Sequence, residues 1–189
     1  MGTATQSPPK RADAVRNRER VIAAAQSVFA ELGIDASIDD VAARAGVGRA
    51  TIYRSFPTKE HLIAGLAIER LASFKRLADA ALDDEDAGAA FRRVLVTISE
   101  TQARDRIMLA ALRLGSDVGG LDEARSATSA ALERLMRRAK KQGSMRRDAS
   151  AEDVRVLMTG LPHSLTPEQQ HDVNVWRRYA NLIADALAC

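Results

Sequence analysis

The side chains best suited to chemistry lie close together in the run RATIYRS, at positions 49–55. This run holds two guanidinium groups, three hydroxyl groups and one small residue. On a helix, residues follow one another at 100°, so Ile52 and Phe56 would point inward together. The side chains that then point outward are Ala50, Thr51 and Arg54, with Tyr53 and Ser55 on the flanks. A short, polar and exposed helix face of this kind is typical of a binding surface.

The chemistry of this face matches the base edges and the backbone of duplex DNA. Arginine can pair with guanine in the major groove, and alanine or threonine can contact the thymine methyl group. Hydroxyl groups can donate to phosphates, and the helix N-terminus expected at Ser37 is a natural phosphate site. The residues expected to contact DNA are Ser37, Arg49, Ala50, Thr51, Tyr53, Arg54 and Lys59.

Structural roles are the alternative for these residues taken one by one. On an arbitrary exposed helix, Arg49 and Arg54 would more often be solvated charges, and Tyr53 could be an aromatic residue at the edge of a core. The surrounding helix-turn-helix pattern favours DNA contact for the group as a whole.

Two short helices joined by a tight turn position the polar face. Ser37 and Asp40 have the spacing of a capping box, which starts the first helix, and Gly46 stops it. Ala42 is small enough for the two helices to cross closely. The apolar positions that hold the pair together are Val41, Ala45, Val47 and Ile52.

The segment from Arg18 to Leu66 resembles the DNA-binding domain of the TetR family of bacterial transcriptional regulators. The resemblance rests on the helix-turn-helix, the TIYRSF motif and the lysine that follows, and covers about a quarter of the chain. It implies an all-α homodimer that binds double-stranded operator DNA through its third helix and senses a small ligand in a C-terminal domain. The family positions that commonly contact DNA match Ser37, Arg49, Ala50, Thr51, Tyr53 and Lys59. The family often has Lys-Gly where this chain has Arg49-Ala50, and histidine at Ser55, so an operator sequence does not carry over.

The chain is expected to have three parts: a disordered basic arm at residues 1–13, a helix-turn-helix DNA-binding domain at 14–58, and a helical domain for ligand sensing and dimerisation at 59–189. The first twenty residues hold five basic side chains against two acidic ones. Such an excess of positive charge adds salt-dependent affinity for DNA. The basic side chains are Lys10, Arg11, Arg16, Arg18 and Arg20.

Helical periodicity continues through the larger region, and no alternating strand pattern occurs. Further helices are expected at residues 59–82, 87–103, 106–114, 122–142, 151–161 and 167–188, separated by glycines, an acidic run and Pro162. The predicted fold class is therefore all-α, with about nine helices in total: a three-helix N-terminal domain followed by a larger helical bundle.

Two apolar stripes on the last helix predict a homodimer. A surface helix of a monomer needs only one such stripe, so the second would face a partner subunit, together with the helix at 151–161. The alternative is a helix fully enclosed within a monomer. The residues expected at the interface are Val154, Leu157, Leu161, Trp176, Tyr179, Leu182 and Ile183.

A cavity among the middle helices is expected to bind an unknown small, largely apolar molecule. Methionine adapts to irregular cavities, and a few polar groups orient a ligand. The residues expected to line this cavity are Gln102, Met108, Leu112, Met136, Met158, His163 and Trp176. Plain core packing is the alternative for the methionines and the tryptophan.

Other classes of protein find little support in the sequence. It contains no nucleophile elbow, phosphate loop or cysteine–histidine pair. His171 could share a helix face with Glu168 and Asp172 as metal ligands, but a solvated first turn is the commoner arrangement, so we expect no metal and no cofactor. No apolar run approaches the roughly 20 residues of a membrane span, and Cys189 is the single cysteine. We therefore expect a cytoplasmic, non-enzymatic DNA-binding regulator, a repressor that a ligand releases from its operator. A regulator or architectural protein without a ligand is the alternative.

Overall fold

The computed structural model describes residues 10–104, 107–114 and 118–189, with side chains from residue 13 onward. Within these residues nine α-helices occur and no strand beyond one isolated bridge between Met145 and Ala188. The helices are α1 (Lys10–Leu32), α2 (Ile38–Ala45), α3 (Arg49–Ser55), α4 (Lys59–Ala80), α5 (Ala87–Arg104), α6 (Ile107–Ala111), α7 (Leu121–Lys141), α8 (Ala151–Ser164) and α9 (Val173–Leu187). Short 3₁₀ turns lie at Ala81–Asp83 and Gln169–His171. The predicted all-α fold class and its number of helices are confirmed.

The chain packs as two compact units, Met1–Leu62 and Ile63–Cys189. The division falls inside α4, a few residues after the boundary expected between positions 58 and 59. Helix α1 begins at Lys10, so residues 10–13, which we expected to be disordered, are helical. The rest of the predicted arm, residues 1–9, lies outside the described residues.

The first unit is held together by the apolar face of α1. Val21, Ala25 and Val28 recur at helical spacing and are fully buried, and α1 packs on both α2 and α3. Val41 of α2 and Ile52 of α3 are equally buried. This packing fixes the two short helices, which would not be stable alone in water.

The second unit is built around α5, which packs on α7 and α9. Phe91, Val94, Leu95 and Ile98 form its buried stripe, at the spacing of a helix that faces a core. The residues of α4 beyond the division add Phe74 and Ala78 to the same cluster. This arrangement leaves room for a cavity among α4, α5, α6, α7 and α8, described below.

Three predicted helix bounds are wrong. Helix α6 ends at Ala111 instead of 114, because the next residues form a turn in which the Leu114 N–H donates to the Ala111 carbonyl at 3.2 Å. Helix α8 continues through Pro162 to Ser164 instead of stopping at 161, and the Pro162 side chain is buried. The last helix begins at Val173 instead of 167, because Asp172 adopts an extended backbone and its side chain accepts a hydrogen bond of 2.8 Å from the Asn174 N–H. The indole N–H of Trp176 donates to the Gln170 carbonyl, which secures the preceding turn against the start of α9.

Candidate functional site

The N-terminus of α2 carries the predicted capping box. The Ser37 N–H donates to Asp40 Oδ2 at 2.9 Å, the Ser37 hydroxyl donates to the same oxygen at 2.6 Å, and the Asp40 N–H donates to Ser37 Oγ at 3.2 Å. The hydrogen bond from the Ser37 hydroxyl, followed by that from its backbone, lowers the pKa of Asp40. Ser37 is itself exposed, so the helix start is fixed and open to solvent.

The turn between α2 and α3 depends on a left-handed residue. Gly46 has φ +62°, a conformation that side chains with a Cβ rarely adopt. Its N–H donates to the Ala43 carbonyl at 3.2 Å, and the Val47 N–H donates to the Ala42 carbonyl at 3.1 Å. These two bonds close the end of α2 in the manner of a Schellman motif and set the direction in which α3 leaves.

Helix α3 presents the polar face that the sequence predicts. Ile52 is fully buried, whereas Arg49, Ala50 and Arg54 are exposed and Tyr53 keeps 41% of its surface accessible. Thr51, another predicted DNA contact on α3, is half-buried. The outward face is thus polar and one helix wide.

One ion pair and one hydrogen bond order the two arginines of this face. Arg49 Nε lies 2.8 Å from Asp39 Oδ1, which connects the start of α3 to the first turn of α2. Arg54 Nη2 donates to Thr51 Oγ1 at 3.1 Å, one turn away on α3. Both partners in the Arg49 pair are more than half exposed, so solvent screens the pair and it can open to release the guanidinium.

Lys59, the last predicted DNA contact, is the first residue of α4. Its Nζ lies 5.8 Å from the centroid of the Phe29 ring, within reach of a cation–π interaction. Thr58 precedes it, and the Thr58 hydroxyl oxygen accepts a hydrogen bond of 3.4 Å from the His61 N–H. The ammonium group is therefore placed at the start of a capped helix.

The arginines of the predicted basic arm have partners within the first unit, which charge counting could not reveal. Arg18 lies over the Phe56 ring, with its Cζ 4.4 Å from the centroid, and its Nη1 donates to the Ser55 carbonyl at 3.4 Å. Arg20 Nη2 donates to the Ala45 carbonyl at 2.7 Å. Arg16 pairs with Asp13 on the same helix. These three side chains are therefore not free positive charges on a disordered arm; the side chains of Lys10 and Arg11 lie outside the described part.

The second unit contains a cavity of about 290 Å³. Five segments contribute to its wall: α4, α5, α6 with the turn that follows it, α7 and α8. Apolar side chains, among them Phe74, Ile98, Leu132 and Met158, form most of the lining. Its size is near the lower end of the range of about 300–1,000 Å³ that is usual for small-molecule sites.

Four of the seven predicted lining residues reach this cavity: Gln102, Met108, Leu112 and Met158. Trp176 instead lines a smaller neighbouring cavity of about 40 Å³. Met136 is buried in the main core outside the cavity, because it lies on the face of α7 that packs inward. His163 is exposed, with its Nδ1 3.0 Å from the Thr159 carbonyl, so the structure corrects both positions.

Beyond Gln102, the polar part of the lining was not expected from the sequence. Arg125, Thr128 and Ser129 lie one turn apart on α7, and Arg155 and Thr159 do so on α8. Their i, i+3 and i, i+4 spacing was visible in the sequence, but polar residues at this spacing are also typical of a solvated helix face.

The predicted interface residues divide into two groups. Val154 and Trp176 are buried within the second unit itself, so the structure corrects their assignment to a partner-facing stripe. Leu157 and Leu182 are 43% and 50% exposed, and Val156 beside them is 51% exposed. Leu161, Tyr179 and Ile183 are half-buried. Helices α8 and α9 thus keep large apolar side chains in contact with solvent.

The described residues offer no arrangement for a metal ion or a membrane. Across residues 10–104, 107–114 and 118–189, no three His, Cys, Asp or Glu side chains come together as metal ligands. In the same residues, no helix combines the length and the apolar character that crossing a bilayer requires.

The exposed α3, which follows the capped α2 and packs against α1 and α2, defines a helix-turn-helix protein. Comparison with known families agrees: the family described as "Bacterial regulatory proteins, tetR family" matches residues 21–66, and "Transcriptional regulator SbtR-like, C-terminal domain" matches residues 83–189. The second match alone covers more than half of the chain. The chain therefore belongs to the TetR family of bacterial transcriptional regulators, a family of regulators and not of enzymes.

Solved structures of similar proteins extend over nearly the whole chain. A TetR transcription regulatory protein from Mycobacterium vanbaalenii is 30% identical, with 96% of this chain and 100% of that chain covered and a TM-score of 0.62. A TetR transcriptional regulator from Streptomyces coelicolor is 29% identical, with 90% and 98% covered and a TM-score of 0.61.

Curated relatives match over a shorter region. An uncharacterised HTH-type transcriptional regulator of Mycobacterium tuberculosis is 29% identical over 90 residues, which is 47% of each chain. The match thus spans about half the length of the curated relatives.

Proposed function

We propose that the protein is a cytoplasmic repressor that binds operator DNA as a homodimer and leaves it when a small molecule occupies the cavity of the second unit. The observation that carries the DNA-binding part is the exposed polar face of α3, fixed from behind by the buried Ile52 and Phe56. A helix of this shape fits the major groove of B-DNA, which is about 12 Å wide.

The residues of this face divide by chemistry into readers and anchors. Arg54 carries the guanidinium that can pair with guanine, and Ala50 and Thr51 can approach a thymine methyl group. Tyr53, Lys59 and the α2 start at Ser37 act on phosphates, which positions the protein without selecting a base sequence.

The exposed apolar side chains of α8 and α9 support the homodimer part of the proposal. Val156, Leu157 and Leu182 lie on these two helices and stay in contact with solvent in one subunit. Two copies related by a two-fold axis would bury these side chains against each other. A dimer presents two reading helices to successive turns of the major groove, about 34–36 Å apart.

Release by a ligand is supported by the helix that the cavity shares with the DNA-binding unit. Leu71 and Phe74 of α4 line the cavity, and the same helix begins at Lys59. A ligand that prefers another tilt of α4 shifts the equilibrium only by its difference in affinity, typically about 1–3 kcal/mol. A transcriptional regulator of the same fold from Saccharomonospora viridis, 21% identical with a TM-score of 0.68, is solved in complex with choline, so this fold accommodates small ligands.

The DNA-binding part is tested by variants on α3 and α4. An operator is first selected from random duplexes by the wild-type protein. Tyr53→Ala and Lys59→Ala should weaken binding to all sequences, whereas Arg54→Ala should also relax base preference, at a cost of about 1–3 kcal/mol. Arg137→Ala, at an exposed arginine of α7, is the charge control and should bind normally. Unchanged operator affinity in all three folded variants would refute this part.

The ligand-release part is tested by titrating a bound compound with and without operator. Linkage requires that operator DNA weaken ligand binding by the same factor by which the ligand weakens operator binding. If every compound that occupies the cavity binds with the same affinity in the presence and in the absence of operator, the protein is not released by a ligand, and the ligand-free alternative is correct.

A further inference from the structure

The polar groups of the cavity differ in what they can offer to a ligand. Thr128 Oγ1 donates to the Ala124 carbonyl at 2.9 Å or the Leu71 carbonyl at 3.1 Å. Thr159 Oγ1 likewise donates to the Arg155 carbonyl at 2.8 Å. Because a hydroxyl has a single proton, both threonines present only lone pairs to the cavity.

Positive charge, in contrast, comes from two arginines. Arg125 and Arg155 both line the cavity, and none of the lining residues in the described part of the chain is acidic. Asp122 pairs with Arg125 and Glu152 pairs with Arg155, but the side chains of these two acids are 51% and 64% exposed and do not line the cavity. The interior therefore favours negative charge on a ligand.

Arg125 is the better placed of the two guanidinium groups. Its Nη1 donates to Asp122 Oδ1 at 2.9 Å, and its Nη2 donates to the carbonyl of Ala111, the last residue of α6, also at 2.9 Å. The side chain is only 27% exposed. A guanidinium has five N–H donors, so these two bonds hold the group in place and leave other donors for a ligand.

Arg155 is committed to another partner. It forms a bidentate ion pair with Glu152, one turn earlier on α8, through Nε at 2.7 Å and through Nη2. The Arg155 side chain is half exposed. This bond raises the pKa of Arg155 and lowers the pKa of Glu152. The guanidinium fork of Arg155 is thus occupied, which leaves Arg125 as the main anion contact.

We infer that the cavity takes a small organic carboxylate with an apolar body, and that the carboxylate pairs with Arg125 while the body packs among Phe74, Ile98 and Leu132. This inference rests on the proposed function, because it names the chemical class of the releasing ligand. A cation such as choline, which a regulator of the same fold binds, would meet two guanidinium groups and no carboxylate among the described lining residues.

The test compares head groups on identical apolar bodies. Octanoate, octan-1-ol and octylammonium, and the corresponding phenylbutyl set, are titrated into the full-length wild-type protein by calorimetry. A charged hydrogen-bonded pair is expected to favour the carboxylate over the alcohol by about tenfold or more, and over the ammonium ion by a larger factor. Equal affinity for the three head groups, or binding of none of them at millimolar concentration, overturns the inference.

The assignment to Arg125 is tested by removing its charge. Arg125→Gln should reduce the preference for carboxylate over alcohol to nearly none. Arg137→Gln, on the exposed side of the same helix, should keep the full preference. If the first variant fails to fold, Arg125→Lys keeps the charge but loses the fork, and should weaken carboxylate binding alone. A carboxylate preference that survives in a folded Arg125 variant overturns the assignment.

Operator binding, followed in parallel by fluorescence anisotropy, separates this inference from the proposed function. Selective carboxylate binding without any loss of operator affinity supports the ligand class and refutes ligand release. Release by the alcohol and the ammonium ion as readily as by the carboxylate supports ligand release and overturns the ligand class.

Discussion

Replacing Arg18 by glutamine should loosen α3 without removing a DNA contact. The Arg18 guanidinium lies 4.4 Å from the centre of the Phe56 ring and donates to the Ser55 carbonyl, so it joins α1 to the last turn of α3. Glutamine keeps part of the stem but loses the cation. The variant therefore tests whether this arginine positions the reading helix or simply adds positive charge.

The expected size of the effect follows from these two contacts. An exposed cation–π interaction contributes about 0.5–1 kcal/mol. The hydrogen bond to Ser55, at 3.4 Å, is near the limit of a useful distance and adds little. A loss of about 1 kcal/mol in the local stability of α3 corresponds to about fivefold faster amide exchange.

Two measurements check this expectation. Amide hydrogen exchange should accelerate in residues 49–56, and operator affinity should fall with no change in its dependence on salt. Arg16→Gln is the matched control, because within the described part of the chain Arg16 pairs only with Asp13, on the exposed side of the same helix. Such surface pairs contribute only a few tenths of a kcal/mol, so the control should exchange like the wild type.

The opposite result is equally clear. A phosphate contact through Arg18 would make the slope of log affinity against log salt about 0.9 shallower in the variant. A shallower slope together with unchanged amide exchange would refute the positioning role and would show that Arg18 contacts a DNA phosphate.

Three further predictions concern assembly, the turn and pH. Leu182→Glu should yield monomers in analytical ultracentrifugation, because a carboxylate has no counter-ion in an apolar interface, whereas Leu32→Glu, at a comparably exposed leucine of α1, should stay dimeric. Gly46→Ala should cost about 1–2 kcal/mol in urea unfolding because of its left-handed backbone, and Gly46→Asn should cost less. The pKa of Asp40, the capping-box carboxylate of α2, lies below its ordinary value of 3.8 in the folded protein. The stability that Asp40 contributes is therefore present above pH 3.8 and is lost as the pH falls through the folded pKa. Ser37→Ala should flatten this acid dependence of the free energy of unfolding.

The helix-turn-helix could be predicted because its signals are local. Ser37 and Asp40 lie three residues apart, Gly46 marks the turn by itself, and Ile52 and Phe56 show the buried side of α3. Each signal acts within one turn of helix, so a single sequence contains all the information needed to read it.

The errors share another cause, which is contact between distant residues. The Gln170 side chain donates to the carbonyls of Pro162 and Leu165, and its own carbonyl accepts from the Trp176 indole. These bonds fold the segment before α9 back on α8, so the helix starts later than periodicity suggests. Arg18 and Arg20 were misread in the same way, because their partners lie 37 and 25 residues away.

The apolar stripes on α9 illustrate a further limit. Periodicity indicates that two faces are apolar but not which body covers each of them. Trp176 is covered within its own unit, whereas Leu182 remains open to solvent. Only the packing of the second unit distinguishes these two faces.

The division of the chain inside α4 has a consequence for protein engineering. Helix α4 is continuous from Lys59 to Ala80, and the division follows Leu62. A chimera that exchanges the DNA-binding unit must therefore be joined within a helix, where each inserted residue turns everything beyond it by about 100° and advances it by about 1.5 Å. A graft one residue too long would misdirect the reading helix even if both units folded perfectly, while an insertion of seven residues would nearly restore the angle. To exchange DNA-binding and ligand-binding units between proteins of this architecture, the number of helical residues at the junction must be preserved. The identity of the residues at the junction matters less.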